Sequence, residues 1–218
     1  VDAMSRGRVE FGLGTGWFAA EHEAYGLPFP AKRFGPFEEQ LEIITGLWAT
    51  PVDETFSFDG KHYRLVDAPA LPKPVQSPMP VIVGGGGASR TPAIAARFAS
   101  EFNIGFVAED VIAEKFDGVR AACEAIGRDP STLKLSVALP TVAGATAEDR
   151  ERRAANVGRS IEQFDNGVNI VGDAPRIAEK VERLRALGAE RVYFQTVDMR
   201  DLEHQEYLGT EVLPLLRR

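Results

Sequence analysis

The sequence predicts an α/β protein, a parallel sheet covered by helices. Three observations carry that expectation. Five short segments rich in apolar and β-branched residues recur along the chain: Val9–Leu13, Val81–Val83, Phe102–Phe106, Leu133–Leu139 and Arg191–Val197. Stretches with apolar residues at helical spacing come after most of them. Runs such as Val81-Ile-Val83 are apolar throughout, as strands covered on both faces must be. At 218 residues the chain suffices for one large domain, and 1–218 is read as one, with an insertion over 50–80.

Composition narrows the class. Apolar residues make up 44% of the chain, enough for a sizeable core, and the net charge is −7 with no long basic run. Nucleic acid and anionic membranes both need a positive field, so neither is expected as a partner. No segment approaches the roughly 18 apolar residues of a membrane span, and the N-terminus lacks a basic-then-apolar leader. The one cysteine, Cys123, excludes an internal disulfide, and a cytoplasmic location is expected. With Ile112, Phe116, Val119 and Ile126 at helical steps, Cys123 reads as core.

In chain order, Met4-Ser5-Arg6-Gly7 resembles the end of a helix with a glycine cap. The strand Val9–Leu13 runs into Gly14-Thr15-Gly16-Trp17, and Phe18–Ala31 reads as a loop. Phe37, Leu41, Ile44 and Trp48 predict a helix from Pro36 to Ala49. Phe56-Ser-Phe58 and His62-Tyr-Arg-Leu65 then flank Asp59-Gly60, the signature of a hairpin with a type I′ turn. Five prolines between Pro69 and Pro80 hold an extended segment. An insertion of this length is either a lid over a site or a surface excursion.

Beyond Val81 the pattern becomes regular. Helices are expected over Thr91–Ser100, Asp110–Ile126, Ala147–Phe164, Pro175–Leu187 with Asp173 as cap, and Leu202–Leu216. Gly127-Arg-Asp-Pro130 reads as a turn. An open doubly wound sheet and part of an eight-stranded barrel both fit this order.

The richest chemical signal is Val81-Ile-Val-Gly-Gly-Gly-Gly-Ala-Ser-Arg-Thr-Pro92. A strand passes through four glycines to a helix start, with Ser89 or Thr91 available as cap and Pro92 suited to the first turn. Backbone N–H groups exposed at such a start form an anion site, usually for phosphate. The plain alternative is a tight turn with no ligand. A dinucleotide fingerprint fits only in part, because Ser89 stands where its third glycine belongs. That reading, a nicotinamide-dependent dehydrogenase on an open sheet, would place Glu109 or Asp110 on the ribose. The histidines His22, His62 and His204 are too scattered for a metal site.

Gly7-Arg-Val-Glu-Phe-Gly-Leu-Gly-Thr-Gly-Trp17 and Glu21-His-Glu-Ala-Tyr-Gly26 resemble the luciferase-like monooxygenase superfamily. The resemblance continues through Phe34, Glu39–Ile44, Leu47-Trp48, Phe58–Tyr63, Pro72-Lys-Pro74, Val81–Thr91, Ala95–Phe98, Asn103, Gly127–Pro130 and Val171-Gly172. It covers essentially the whole chain and is strongest to the branch using the deazaflavin coenzyme F420. It implies a (β/α)8 TIM barrel with its active site at the C-terminal strand ends, present here as an incomplete barrel of about five strands. By the same resemblance Gly84, Gly85, Gly86, Gly87, Ala88, Ser89 and Thr91 bind the cofactor phosphate. Thr15, Gly16 and Trp17 line the cofactor, although Trp17 as plain core is the bland alternative.

Three βα units of about thirty residues each are therefore expected ahead of Val1. The resemblance puts the groups acting at the cofactor ring there, so no catalytic residue is assigned. Where some deazaflavin enzymes carry a glutamate after Thr-Gly, this chain has Trp17; the nearest carboxylates are Glu21 and Glu23. The expected function is F420-dependent hydride transfer to or from a small organic substrate. The alternatives are a flavin mononucleotide (FMN)-dependent monooxygenase, a non-catalytic cofactor-binding or partner subunit, and the nicotinamide enzyme above. An incomplete barrel exposes a strand edge, so a homo-oligomer or a second chain completing the barrel is expected.

Overall fold

The computed structural model describes residues 1–217. The chain forms two compact units, Val1–Phe102 with Val119–Leu133, and Asn103–Gly118 with the residues from Lys134 onward.

The first unit opens with α1 (Asp2–Ser5) and β1 (Phe11–Leu13), succeeded by α2 (Ala19–Ala24) and α3 (Phe34–Ala49). The hairpin strands β2 (Phe56–Asp59) and β3 (Arg64–Ala68) come next, then β4 (Val81–Gly84) and α4 (Arg90–Phe98). β5 (Glu101–Gly105) and α5 (Glu109–Ala125) each begin in one unit and end in the other. β1 pairs parallel with β4, with Gly12 opposite Ile82 and Leu13 opposite Val83. α3 buries Phe37, Leu41 and Ile43, and its Trp48 meets Phe11 of β1 edge-on at 5.2 Å. The helix starts two residues ahead of the expected Pro36, because a proline in the first turn removes only an N–H that has no partner there.

The N-terminal helix ends one residue earlier than the glycine suggested. Arg6 takes the left-handed conformation at φ 58 and Gly7 comes next at φ 76. Asp2, buried, accepts the backbone N–H groups of Val75 and Gln76 at 2.8 and 3.1 Å, tying the proline-rich segment down. The expected loop at Phe18–Ala31 contains the short helix α2. Ile126, expected in the core with Cys123, is exposed just past the end of α5, whereas Cys123 is fully buried.

The hairpin corrects the type I′ expectation. Asp59 pairs with Arg64 and the loop runs over four residues, closed by Gly60 N–H donating to Tyr63 O at 2.9 Å. Gly60 is not among the positive-φ glycines, and a type I′ turn needs positive φ. The reason is Glu39 on α3. Its carboxylate accepts the N–H groups of Lys61, His62 and Tyr63 at 2.9, 2.8 and 3.0 Å, holding a wider loop than two residues allow. Burial raises the Glu39 pKa, but these three bonds outweigh it and hold the carboxyl below its ordinary value.

The second unit is organised on β6 (Lys134–Ala143). β7 (Ile170–Gly172) pairs parallel with its last three residues, and β8 (Arg191–Thr196) with Ser136–Thr141. β6 runs four residues past the expected Leu139, through Pro140, a residue that on sequence grounds argues for a strand end. β7 was not expected as a strand at all. The helix expected over Ala147–Phe164 is two helices, α6 (Ala147–Asn156) and α7 (Ile161–Phe164). Gly158 at φ 71 breaks it, and Ser160 with Gln163 restarts it as a capping box. α8 (Ala174–Ala186) is capped by Asp173, as expected. α9 (Leu202–Tyr207) continues through a π-turn at Leu208–Val212 into α10 (Leu213–Leu216). Pro214 has no N–H for the carbonyl one α-turn back, which accounts for the widened turn. Val142, Ala154, Phe164 and Val171 form the core beneath α6 and α7.

A buried polar clasp closes this unit. Arg153 on α6 donates to Asp201 at 3.0 Å and to the Ala143 carbonyl. Asp201 caps α9 by accepting the His204 N–H at 2.9 Å. His204 accepts the Ala143 N–H at Nε2, 2.9 Å away. Burial, reinforced by the Arg153 charge, lowers the His204 pKa to about 4. The folded state thus favours neutral imidazole while the unfolded chain takes up a proton near 6.5. Stability falls as pH drops from about 6.5 toward 4, by up to roughly 3 kcal/mol from this group. Urea unfolding at about pH 7 and about pH 4.5 should show that loss. His204→Leu should remove this part of the pH dependence and cost about 1–3 kcal/mol near neutral pH, because the Ala143 N–H is left buried without an acceptor.

Candidate functional site

The site builds from the β1–β4 register. Leu13 stands opposite Val83, so both strands end together and Gly14–Trp17 and Gly84–Ala88 leave from neighbouring ends. A Cβ added to Gly14 would lie 3.8 Å from the Gly84 carbonyl oxygen. Both loops lie wholly within the first unit.

Two of the four glycines are required by geometry. Gly85 has φ 139, which L side chains rarely adopt. A Cβ on Gly87 would lie 2.5 Å from Thr91 Oγ1 and 3.6 Å from Phe34 Cζ, so only a bare backbone passes there. Gly85, Gly86, Ala88 and Ser89 are exposed. Among the described residues no backbone carbonyl accepts from the N–H groups of Gly86, Gly87 or Ala88. The loop therefore presents unpaired donors just ahead of the positive end of α4.

Thr91 corrects the cap assignment. α4 begins at Arg90 with Ser89 in the cap position, so Thr91 and Pro92 are its second and third residues. The Ser89 side chain makes no capping bond. Thr91 is 3% exposed, yet Oγ1 is directed at Gly87. No hydrogen bond among the described residues engages that oxygen. Nor is any fully buried side-chain polar atom without a partner. The hydroxyl therefore opens toward solvent at the glycine loop.

The partner loop is held from α2 and the start of α3. Arg33 Nε donates to the Thr15 carbonyl at 3.2 Å, and its guanidinium lies 3.9 Å from the Phe29 ring centroid. Phe29 packs on His22 at 4.6 Å, and His22 Cε1 would be 3.1 Å from a Cβ on Gly16, whose φ is 72. Trp17 is not core. It is 82% exposed, beside Phe18 at 5.4 Å between ring centroids. Arg33, Phe34 and Arg90 escaped the sequence reading as site residues. Phe34 and Arg33 lie ahead of the apolar stripe that marks α3, and Arg90 lies ahead of the helix expected from Thr91.

Of the two acids that the nicotinamide reading would place on the ribose, Glu109 is engaged by cations instead. Glu109 is held by Lys180 at 2.7 Å and Arg183 at 3.1 Å. Burial raises its pKa, but those ion pairs outweigh burial and keep the carboxyl low. Among the described residues no group of three His, Cys, Asp or Glu side chains converges as a metal site. No helix among them is long and apolar enough to cross a membrane.

The profile of the luciferase-like monooxygenase family matches residues 1–176. The chain belongs to that family. The family comprises oxidoreductases and monooxygenases that depend on flavin or F420. An FMNH2-dependent dimethylsulfone monooxygenase of Pseudomonas putida is 26% identical over 252 aligned residues, covering 100% of this chain and 68% of that protein. Among solved structures, an F420-dependent secondary alcohol dehydrogenase in complex with an F420–acetone adduct superposes with TM-score 0.79 at 16% identity. The match covers 99% of this chain and 72% of that one. The coenzyme F420-dependent tetrahydromethanopterin reductase of Methanopyrus kandleri superposes with TM-score 0.76 at 18% identity, over 98% and 76%. These likenesses establish the fold expected from the sequence, a luciferase-like TIM barrel present here in part.

Two substitutions separate the structural demands of the loop from any binding role. Thr91→Val should leave the thermal unfolding midpoint within about 2 °C, because no protein group is bonded to the hydroxyl. Gly85→Ala should lower it clearly, costing about 1 kcal/mol or more for the strained φ. Equal loss in the two variants would contradict this assignment.

Proposed function

We propose that the Gly84–Thr91 loop holds the phosphate of a deazaflavin, and that the chain serves F420-dependent hydride transfer to or from a small organic substrate. The observation that carries the reading is the closeness of Thr91 Oγ1 to the bare backbone at Gly87, since a hydroxyl beside an exposed loop whose N–H groups no carbonyl accepts suits an oxyanion. Gly86, Gly87 and Ala88 would supply backbone donors, Ser89 and Thr91 hydroxyls, and Gly85 the turn. Thr15 and Gly16, steadied by Arg33 and His22, would stand beside the chain leading from phosphate to ring, with Trp17 over its exposed side.

The bound cofactor supplies the hydride chemistry, while the protein contributes binding, orientation and shielding from water. Open exposure of Gly85, Gly86 and Ala88 supports the deazaflavin, because its phosphate is a diester whose further chain must leave into solvent. A second reading is an FMN-dependent monooxygenase, favoured by the likeness to the dimethylsulfone enzyme along the whole of this chain. Both readings use the same cradle.

Titration of the protein with F420 and with FMN, monitored by fluorescence, separates them. The proposal expects binding of F420 at least about tenfold tighter than FMN, and a loss of about tenfold or more in Thr91→Val, for one bond to a charged oxygen. Binding of FMN alone would move the assignment to the second reading. Binding of neither would overturn both.

A further inference from the structure

We infer that Arg90 is the charge-neutralising residue of this phosphate site, and that Glu38 holds it in reserve until the phosphate binds. The inference rests on the cradle reading above and deepens it. The cradle offers dipoles and hydroxyls but no full positive charge of its own, whereas a phosphate ester carries at least one negative charge, in a chain of net charge −7.

Arg90 is the first residue of α4, directly after the loop. Its guanidinium lies 5.2 Å from the centroid of Phe34, and the same ring comes within 3.6 Å of the place a Gly87 Cβ would occupy. One aromatic ring thus separates the charge from the cradle. Helical side chains lean toward the N-terminus, so Arg90, once off Glu38, would turn back along the loop.

The ion pairs show why Arg90 can turn. Glu38 on α3 accepts from Arg97 Nη1 at 2.6 Å and from Arg90 Nη2 at 3.3 Å. Arg97 also pairs with Glu42 at 3.0 Å. Glu38 is therefore well paired without Arg90, and the Arg90 contact is the longest of the three. The Arg90 side chain is 54% exposed, so it can move without opening the core. Arg33, another cation near the loops, is committed to the Thr15 and Pro30 carbonyls and to the Phe29 face. Thr91 gives the independent sign that a ligand belongs here: its hydroxyl, on a residue 3% exposed, lies against Gly87 without a partner among the described residues.

The test compares phosphate-bearing cofactors with a phosphate-free counterpart. Dissociation constants for F420, FMN and riboflavin are measured in the wild type, Arg90→Gln, Arg90→Lys and Glu38→Gln, with thermal unfolding to verify folding. Arg90→Gln should weaken the cofactor the wild type prefers by roughly ten- to a hundredfold and leave riboflavin within about twofold, with partial recovery in Arg90→Lys. Glu38→Gln should act in the opposite direction and tighten that cofactor a few-fold, a change that simple loss of an ion pair would not produce. Unchanged binding in Arg90→Gln, equal weakening for riboflavin, or weakening in Glu38→Gln would overturn the inference and leave the cradle reading standing. A wild type that binds neither F420 nor FMN would overturn both.

Discussion

The pairing of β1 with β4 is the constraint on which the candidate site depends. Parallel strands in register end at the same level, so the loops leaving them must share the same space. Here both loops are glycine-rich, Gly14-Thr15-Gly16 after β1 and Gly85–Gly87 after β4. A one-residue slip would turn every side chain of β1 to the other face and move its exit away from the cradle. The register is held from behind by Trp48 of α3 against Phe11, and by Phe11 N–H donating to the Pro80 carbonyl at 2.8 Å. α3 therefore does two things at once. It covers β1, and it delivers Phe34 and Glu38 to the start of α4.

The same helix explains the behaviour of the insertion. Glu39 gathers three N–H groups of the hairpin loop, Lys73 Nζ reaches the Leu47 carbonyl at 2.7 Å, and a Cβ on Gly46 would collide with the Phe56 ring. The 50–80 segment is fastened along α3 rather than left as a free excursion. In the second unit the comparable element is the Arg153–Asp201–His204 clasp. It satisfies both backbone groups of Ala143, where the strand has run past the residues of β8 that could pair with it.

Much of the fold was legible because hydrophobic periodicity survives in a single sequence. α3, α5 and α8 fall within two residues of their expected bounds at either end, and the five anticipated strands are all present. The misses have local causes. Gly158 and Ser160 break a helix whose apolar stripe, Ala154 to Phe164, continues across the gap. Pro140 argued for a strand end that the sheet carries through, and Ile170–Gly172 is too short to show a period. The glycine loop proposed as the cradle was visible because its residues are contiguous. Arg33, Phe34 and Arg90 were not, since their part depends on α3 lying beside α4. The His204 clasp joins residues 61 positions apart, a distance no local pattern records.

The most direct measurement of the central claim is the amide nitrogen–proton NMR spectrum of the protein during titration with F420, with FMN and with riboflavin. The account predicts that the Gly86, Gly87 and Ala88 amides shift strongly downfield with a phosphate-bearing cofactor and stay in place with riboflavin. Shifts of equal size with riboflavin, or binding that leaves these three amides unmoved, would contradict it.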